Sequence, residues 1–209
     1  QDYDKACDTQ VYLRTLSFRK IPRNFLETLL VHKSKLMKEL YLTNNEYDEL
    51  MILALGILAV ESKMGTSFKY HLKEDIRIGG YNIGQMAINY MKRKKGRSDE
   101  NSRGLTQIKN VAPLLKDTSY GYLEQADLDD PEAAALATMF VLREKFGYLN
   151  HFKKQHNHIN SYNWPDYIYY FYQGSSGQIT GGKATPKLNL RIQKILEMKR
   201  NMMLFRRCT

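Results

Sequence analysis

Residues 50–65, LMILALGILAVESKMG, carry the reading of the fold. From Leu50 to Val60 every residue is apolar or glycine. A helix with that run has no polar face and is buried all round. The run is also too short to cross a bilayer, which takes about 20 apolar residues. Gly65 is the expected stop, since glycine accepts the left-handed conformation that ends helices. Glu61 then falls in the last turn of a buried helix. Desolvation disfavours a carboxylate there, and so does the negative end of the helix dipole. A carboxylic acid held protonated near neutral pH is what a general acid requires. The plainer alternative is that Glu61 marks where the helix emerges into water, paired with Lys63.

Outward from this helix, the chain reads as a mainly helical single domain. The first twenty residues are a short helix or an extended arm. Pro22 suits a first helical turn, and Phe25, Leu26, Leu29, Leu30, Leu36, Met37 and Leu40 follow at helical spacing. Thr43-Asn44-Asn45 breaks the chain and caps the central helix, with Glu46 and Asp48 in its first turn. Residues 66–101 lose periodicity: Gly79-Gly80 is a turn, 81–90 a short helix, and 91–100 a charged, solvated loop holding Lys92-Arg93-Lys94-Lys95. Asp130-Pro131 opens a helix that Gly147 is expected to close. Residues 161–172 are dense in aromatics, and 174–182 read as a flexible loop. Thr185-Pro186 opens a last helix with Leu188, Leu190, Ile192, Ile195 and Leu196 apolar. There is no internal repeat and no strand alternation.

The chain has 209 residues, enough for a full core. Its formal charge of +10 points to an anionic partner: nucleic acid, an acidic membrane surface or an anionic cell wall. His156 and His158 lack an evident third ligand, so a metal site is not expected. No zinc-protease, P-loop or nucleophile-elbow motif occurs. The basic C-terminal helix reads either as membrane-surface-seeking or, more simply, as core-facing.

Two further stretches bear chemistry. In Asn101 to Ile108, Gly104 permits close backbone approach to a ligand, and Gln107 offers both a donor and an acceptor to sugar hydroxyl and acetamido groups. An ordinary turn into a helix is the alternative. In Tyr169 to Gly174, the aromatic faces suit stacking on sugar rings and the tyrosine hydroxyls can orient a carboxyl group, or else the rings pack the core.

Taken in order, Glu61-Ser62-x-x-Gly65, then Gly104-Leu105-Thr106-Gln107-Ile108, then Tyr172-Gln173 with Gly174 in loose form, resemble the lytic transglycosylase and goose-type lysozyme superfamily. That family carries Glu-Ser, Gly-Leu-Met-Gln-Ile and Ala-Tyr-Asn-x-Gly in the same order. Asp130-Pro131-Glu132 resembles an element between its second and third motifs. The resemblance runs from Leu50 to about Leu196. It implies a lysozyme-like fold, with residues 1–45 as an N-terminal helical segment packed on a catalytic domain at 46–209. It further implies cleavage of the β-1,4 bond between N-acetylmuramic acid and N-acetylglucosamine, without metal or cofactor. Glu61 would be general acid and then base. Ser62 would support it or contact substrate, and Gly104, Gln107, Tyr172 and Gln173 would complete the substrate site, with Tyr172 near Glu61.

The chain departs from the pattern in several places. Thr106 replaces Met, Gln173 replaces Asn, and Phe171 replaces Ala. Lys109 stands where goose-type lysozymes often carry Asp. The insertion between Glu61 and Gly104 is long, and is expected to form a groove wall or a flap selecting a modified wall glycan. Glu74, Asp75 and Asp99 within it are candidates for a second carboxylate. With one motif carboxylate, a transglycosylase is favoured over a hydrolytic lysozyme. The rival from another class is a non-catalytic, basic binding domain for glycan or nucleic acid. Under the enzymatic reading the partner is peptidoglycan. Nucleic acid binding, a transmembrane segment and oligomers are not expected, and the protein is periplasmic or extracellular. The start at Gln1 fits a mature exported protein or a trimmed chain.

Cys7 and Cys208 sit near opposite ends. In an oxidising compartment they are expected to form a bridge, contributing roughly 5 kcal/mol by loop closure; the alternative is two unpaired thiols. Alkylation with and without reductant, read by intact mass, distinguishes these. Two freely alkylated thiols in protein from its native compartment would exclude the bridge.

Overall fold

The computed structural model describes residues 20–66, 104–157, 164–174, 176–181, 191 and 193–195. These are mainly helical, with no strand among them. The helices are α1 (Lys20–Val31), α2 (Lys33–Glu39), α3 (Asn44–Ser62), α4 (Val111–Leu115), α5 (Pro131–Gln155), α6 (Trp164–Tyr172) and α7 (Ser176–Thr180), with a 3-10 turn at Gln125–Asp129. Cys7, Cys208, the opening arm, the insertion with Glu74, Asp75, Asp99 and the basic run 92–95, His158, and most of the last expected helix lie outside the described residues.

Helix α3 behaves as its apolar run demands. Met51 through Leu58 are all buried, and exposure begins only at Ala59. Its start is fixed by a capping box: the Glu46 amide donates to Thr43 Oγ1 at 3.2 Å, and the Thr43 amide donates to Glu46 Oε2 at 2.8 Å. The surrounding walls come from α1, α5 and α6, and all of them share one apolar cluster. No described helix is long and apolar enough to cross a membrane.

Helix α5 is the second axis, touching α1, α3, α4, α6 and the 3-10 turn. Ala133 to Phe140 is buried without interruption. Its alanines leave room for neighbouring backbones to approach. Asp130 caps it by accepting from the Ala133 amide at 3.0 Å, and Pro131 takes the first position.

Four expectations need revision. The helix does not stop at Gly147 but continues to Gln155. A mid-helix glycine costs only about 1 kcal/mol, whereas burying a side chain such as Phe146 or Leu149 contributes about 1.5–3 kcal/mol. The first helical stretch divides at His32, whose ring nitrogen lies 2.9 Å from the Tyr120 hydroxyl. Residues 176–180, expected as loop, form the short helix α7. Finally, α3 ends at Ser62 with Lys63, not Gly65, as its left-handed cap.

Gly65 has another duty. At φ +78°, a Cβ there would come within 2.6 Å of Ile21 and 3.2 Å of Leu105, so its bareness lets α1 and the 104–108 loop close over the end of α3. Gly104 is tighter still. It has φ +78°, and a Cβ would lie 2.2 Å from the Leu128 carbonyl oxygen. Backbone cannot yield as a side-chain tip can. Gly104→Ala is therefore expected to cost about 3 kcal/mol or more, a fall in Tm of roughly 6–12 °C. Thermal unfolding checks this, and an unchanged Tm would show that the loop repacks freely.

Candidate active site

Glu61 sits in the last turn of α3 with its side chain 13% exposed. It faces a cavity of about 530 Å³, also lined by Gln107, Ile108, Lys109, Val141, Lys145, Phe171, Tyr172, Gln173, Gly174 and Arg191. Stretches far apart in sequence meet here: the end of α3, the 104–108 loop and the end of α6.

The loop is locked before any ligand arrives. Its carbonyls at 104, 106 and 108 each accept from a side chain: Gln107 Nε2 to Gly104 at 2.8 Å, Tyr172 Oη to Thr106 at 2.5 Å, and Gln125 Nε2 to Ile108 at 2.6 Å. Gln125 also accepts from the Val111 amide at 3.0 Å, tying the loop to α4. Thr106 points away from the cavity. Its Oγ1 lies 2.8 Å from Thr138 Oγ1, and Thr138 donates on to the Ala134 carbonyl. The change from Met at 106 thus bears on loop-to-helix packing. Gln107 is held at φ +56°, a conformation that turns its backbone sharply.

Among the described residues the carboxylate of Glu61 has two partners. Tyr169 Oη donates to Glu61 Oε1 at 2.7 Å, and Arg191 reaches the same oxygen at 3.2 Å. Arg191 also hydrogen-bonds Tyr169, and this holds the guanidinium above its usual range. Burial, then the charge of Glu61, pushes the Tyr169 hydroxyl well above the ordinary phenol value, so it stays a donor. Burial does the same for Tyr172. The sequence sets burial and the helix end against a charge at Glu61; the structure adds a phenol and a guanidinium that stabilise that charge.

Several site residues fall where the sequence did not put them. Tyr172 lines the cavity with Glu61, but its hydroxyl is spent on Thr106; the tyrosine bonded to Glu61 is Tyr169, one turn earlier and stacked on Tyr172 at 6.0 Å. Their spacing of three residues on one helix was the available signal. Ser62 does not reach the cavity. It is fully buried, donating to the Leu58 carbonyl at 3.1 Å and accepting from the Gly65 amide at 3.0 Å, so it stitches the helix end beneath Glu61. Gly104 is buried against Leu128 and does not line the cavity, so its close approach is to the chain's own backbone. Gln107 and Gln173 do line it. Among the described lining residues Glu61 is the sole acid, and Lys109 stands on the wall. No group of three metal-ligating side chains occurs among the described residues.

Arg191 had no sequence signal at all. Its position depends on Gly56, in the middle of α3. A Cβ at Gly56 would lie 2.8 Å from Ile195 Cγ2, so Ile195 occupies a notch in α3. Arg191 and Ile195 are one helical turn apart, and the segment runs opposite to α3, setting Arg191 over Glu61.

No protein-family model, characterised protein or solved structure matches this chain.

The notch makes a separable prediction. Gly56→Ala gains up to about 1 kcal/mol of helix propensity, which offsets part of the crowding against Ile195. Tm is expected to change little, while the segment bearing Arg191 is pushed outward. A crystal structure of the variant should show the Glu61–Arg191 distance lengthened beyond hydrogen-bonding range. An unchanged distance would mean that Gly56 does not set the register of this segment.

Proposed function

We propose that the protein is an exported peptidoglycan-cleaving muramidase with a lysozyme-like fold, acting as a lytic transglycosylase. The observation that carries this reading is a convergence. Glu61, Gln107, Tyr172 and Gln173, drawn from three distant stretches, line one cavity at the end of a buried helix. A single acid stands among hydrogen-bonding amides and aromatic rings, a lining suited to a glycan.

In this mechanism Glu61 protonates the leaving glycosidic oxygen. Tyr169 donates to Oε1, which leaves Oε2 as the oxygen that gives up the proton. The substrate's own N-acetyl group stabilises the oxocarbenium-like centre. Glu61, now a carboxylate, takes the proton from the muramic 6-hydroxyl, which attacks the anomeric carbon. That hydroxyl is tethered to the same sugar, so its effective concentration far exceeds that of loosely held water. The amides of Gln107 and Gln173 hold the strand across the cavity. Lys109, where a water-positioning carboxylate would stand in goose-type lysozymes, favours this course over hydrolysis.

Glu61→Gln keeps the shape and removes the acid. Turbidity loss of purified peptidoglycan is expected to fall at least about 100-fold while the fold is retained. Fragments released by the wild type are expected to end in 1,6-anhydromuramic acid, about 18 Da lighter than hydrolytic ends by loss of water. Predominantly reducing ends would make the protein a hydrolytic lysozyme. Full lytic activity of the variant would remove Glu61 from the mechanism, and absence of lysis by the wild type would favour the binding-domain reading.

A further inference from the structure

A guanidinium at hydrogen-bonding distance pairs with a carboxylate, whereas a general acid has to be the carboxylic acid. As folded, Arg191 lies 3.2 Å from Glu61 Oε1 and Glu61 is the paired, charged partner. For Glu61 to carry a proton, Arg191 has to find another anion. The described cavity wall offers none, because Glu61 is its only acidic residue. The other charged groups on the described wall are cationic: Lys109 is exposed there, and Lys145 already pairs with Glu144 at 3.1 Å. Arg191 can move, since its side chain is 56% exposed while that of Glu61 is 13% exposed. Tyr169 is fully buried and keeps hold of Oε1 when the arginine departs.

We propose that Arg191 is the receptor for a carboxylate carried by the glycan: the entering strand draws Arg191 off Glu61, with Lys109 on the same wall, and so releases Glu61 to be protonated from water. This rests on the reading of Glu61 as the acid. It makes Arg191 a specificity-determining residue, because a neutral strand leaves the acid paired. The bond exchange is one for one, a guanidinium–carboxylate pair to Glu61 lost and one to the substrate gained. The carboxylate has two sources in a wall glycan. One is the lactyl group of peptide-free muramic acid; the other is the stem peptide, in strands where the lactyl carboxyl is amide-linked.

Calorimetric binding of three probes to the non-cleaving Glu61→Gln protein tests this. The probes are neutral chitotetraose, a peptide-free muramic-acid-containing tetrasaccharide, and the same strand bearing stem peptides. Glu61→Gln is expected to bind a carboxylate-bearing strand at least about tenfold more tightly than chitotetraose. Adding Arg191→Gln to this variant is expected to abolish the preference while chitotetraose affinity is kept. Tighter binding of the peptide-free strand assigns the lactyl carboxylate, and tighter binding of the peptide-bearing strand assigns the stem. Equal binding of neutral and anionic strands, or a preference that survives Arg191→Gln, overturns the role of Arg191 and leaves the glycan reading standing. Binding of no strand overturns both. Unchanged melting temperatures verify that the variants remain folded.

Discussion

The middle of α3 has no side that can face water. Met51 through Leu58 must be covered in every direction, and the chain has to supply walls from wherever it can. It does so with α1 on the N-terminal side, with α5 and α6 from the C-terminal half, and with Ile195 in the notch at Gly56. Covering a cylinder brings together segments remote in sequence. Where the apolar run stops, the walls continue a little further, and the space left between them is the cavity above Glu61. The site is thus a by-product of solving the burial problem for one helix.

The same geometry explains the glycines. Gly56, Gly65 and Gly104 each mark a place where a neighbour passes too close for a Cβ: Ile195, Ile21 and the Leu128 backbone. None of these contacts is with a ligand. They set how closely the neighbouring segments pack. The polar groups follow the same economy. The hydroxyls of Ser62, Thr106 and Tyr172 are consumed by backbone or by each other's partners, holding the frame of the site without entering it.

How much of this was legible depended on the range of the signal. The burial of α3, its Thr43 cap and the Asp130-Pro131 start were readable because composition and capping chemistry act within a few residues. Glu61 was legible as a partly buried acid for the same reason. The stop at Gly147 misread a local signal, because a glycine in α5 is outweighed by flanking core contacts that only the tertiary structure supplies. Gly104 was assigned towards a ligand, and Ser62 either towards a ligand or to the support of Glu61, because a motif gives residue order and not side-chain direction. Tyr172 and Tyr169 both lie beside Glu61, and which of them bonds the acid is decided only when the loop carbonyl of Thr106 claims the Tyr172 hydroxyl. Arg191 could not be seen, since its partner is 130 positions away and its placement hangs on an apolar residue four positions later.

That long separation has a consequence for the life of the chain before it is complete. Proteins leave the ribosome from their N-terminal end and fold domain by domain as they emerge. Glu61 is made early, and α3 can gather α1, α5 and α6 around it while the segment from Arg191 to Ile195 is still inside the exit tunnel. Through that interval the nascent domain carries its acid without the cation that pairs with it, and its central helix with an unfilled notch. Docking of that segment is the step that brings the guanidinium to the acid.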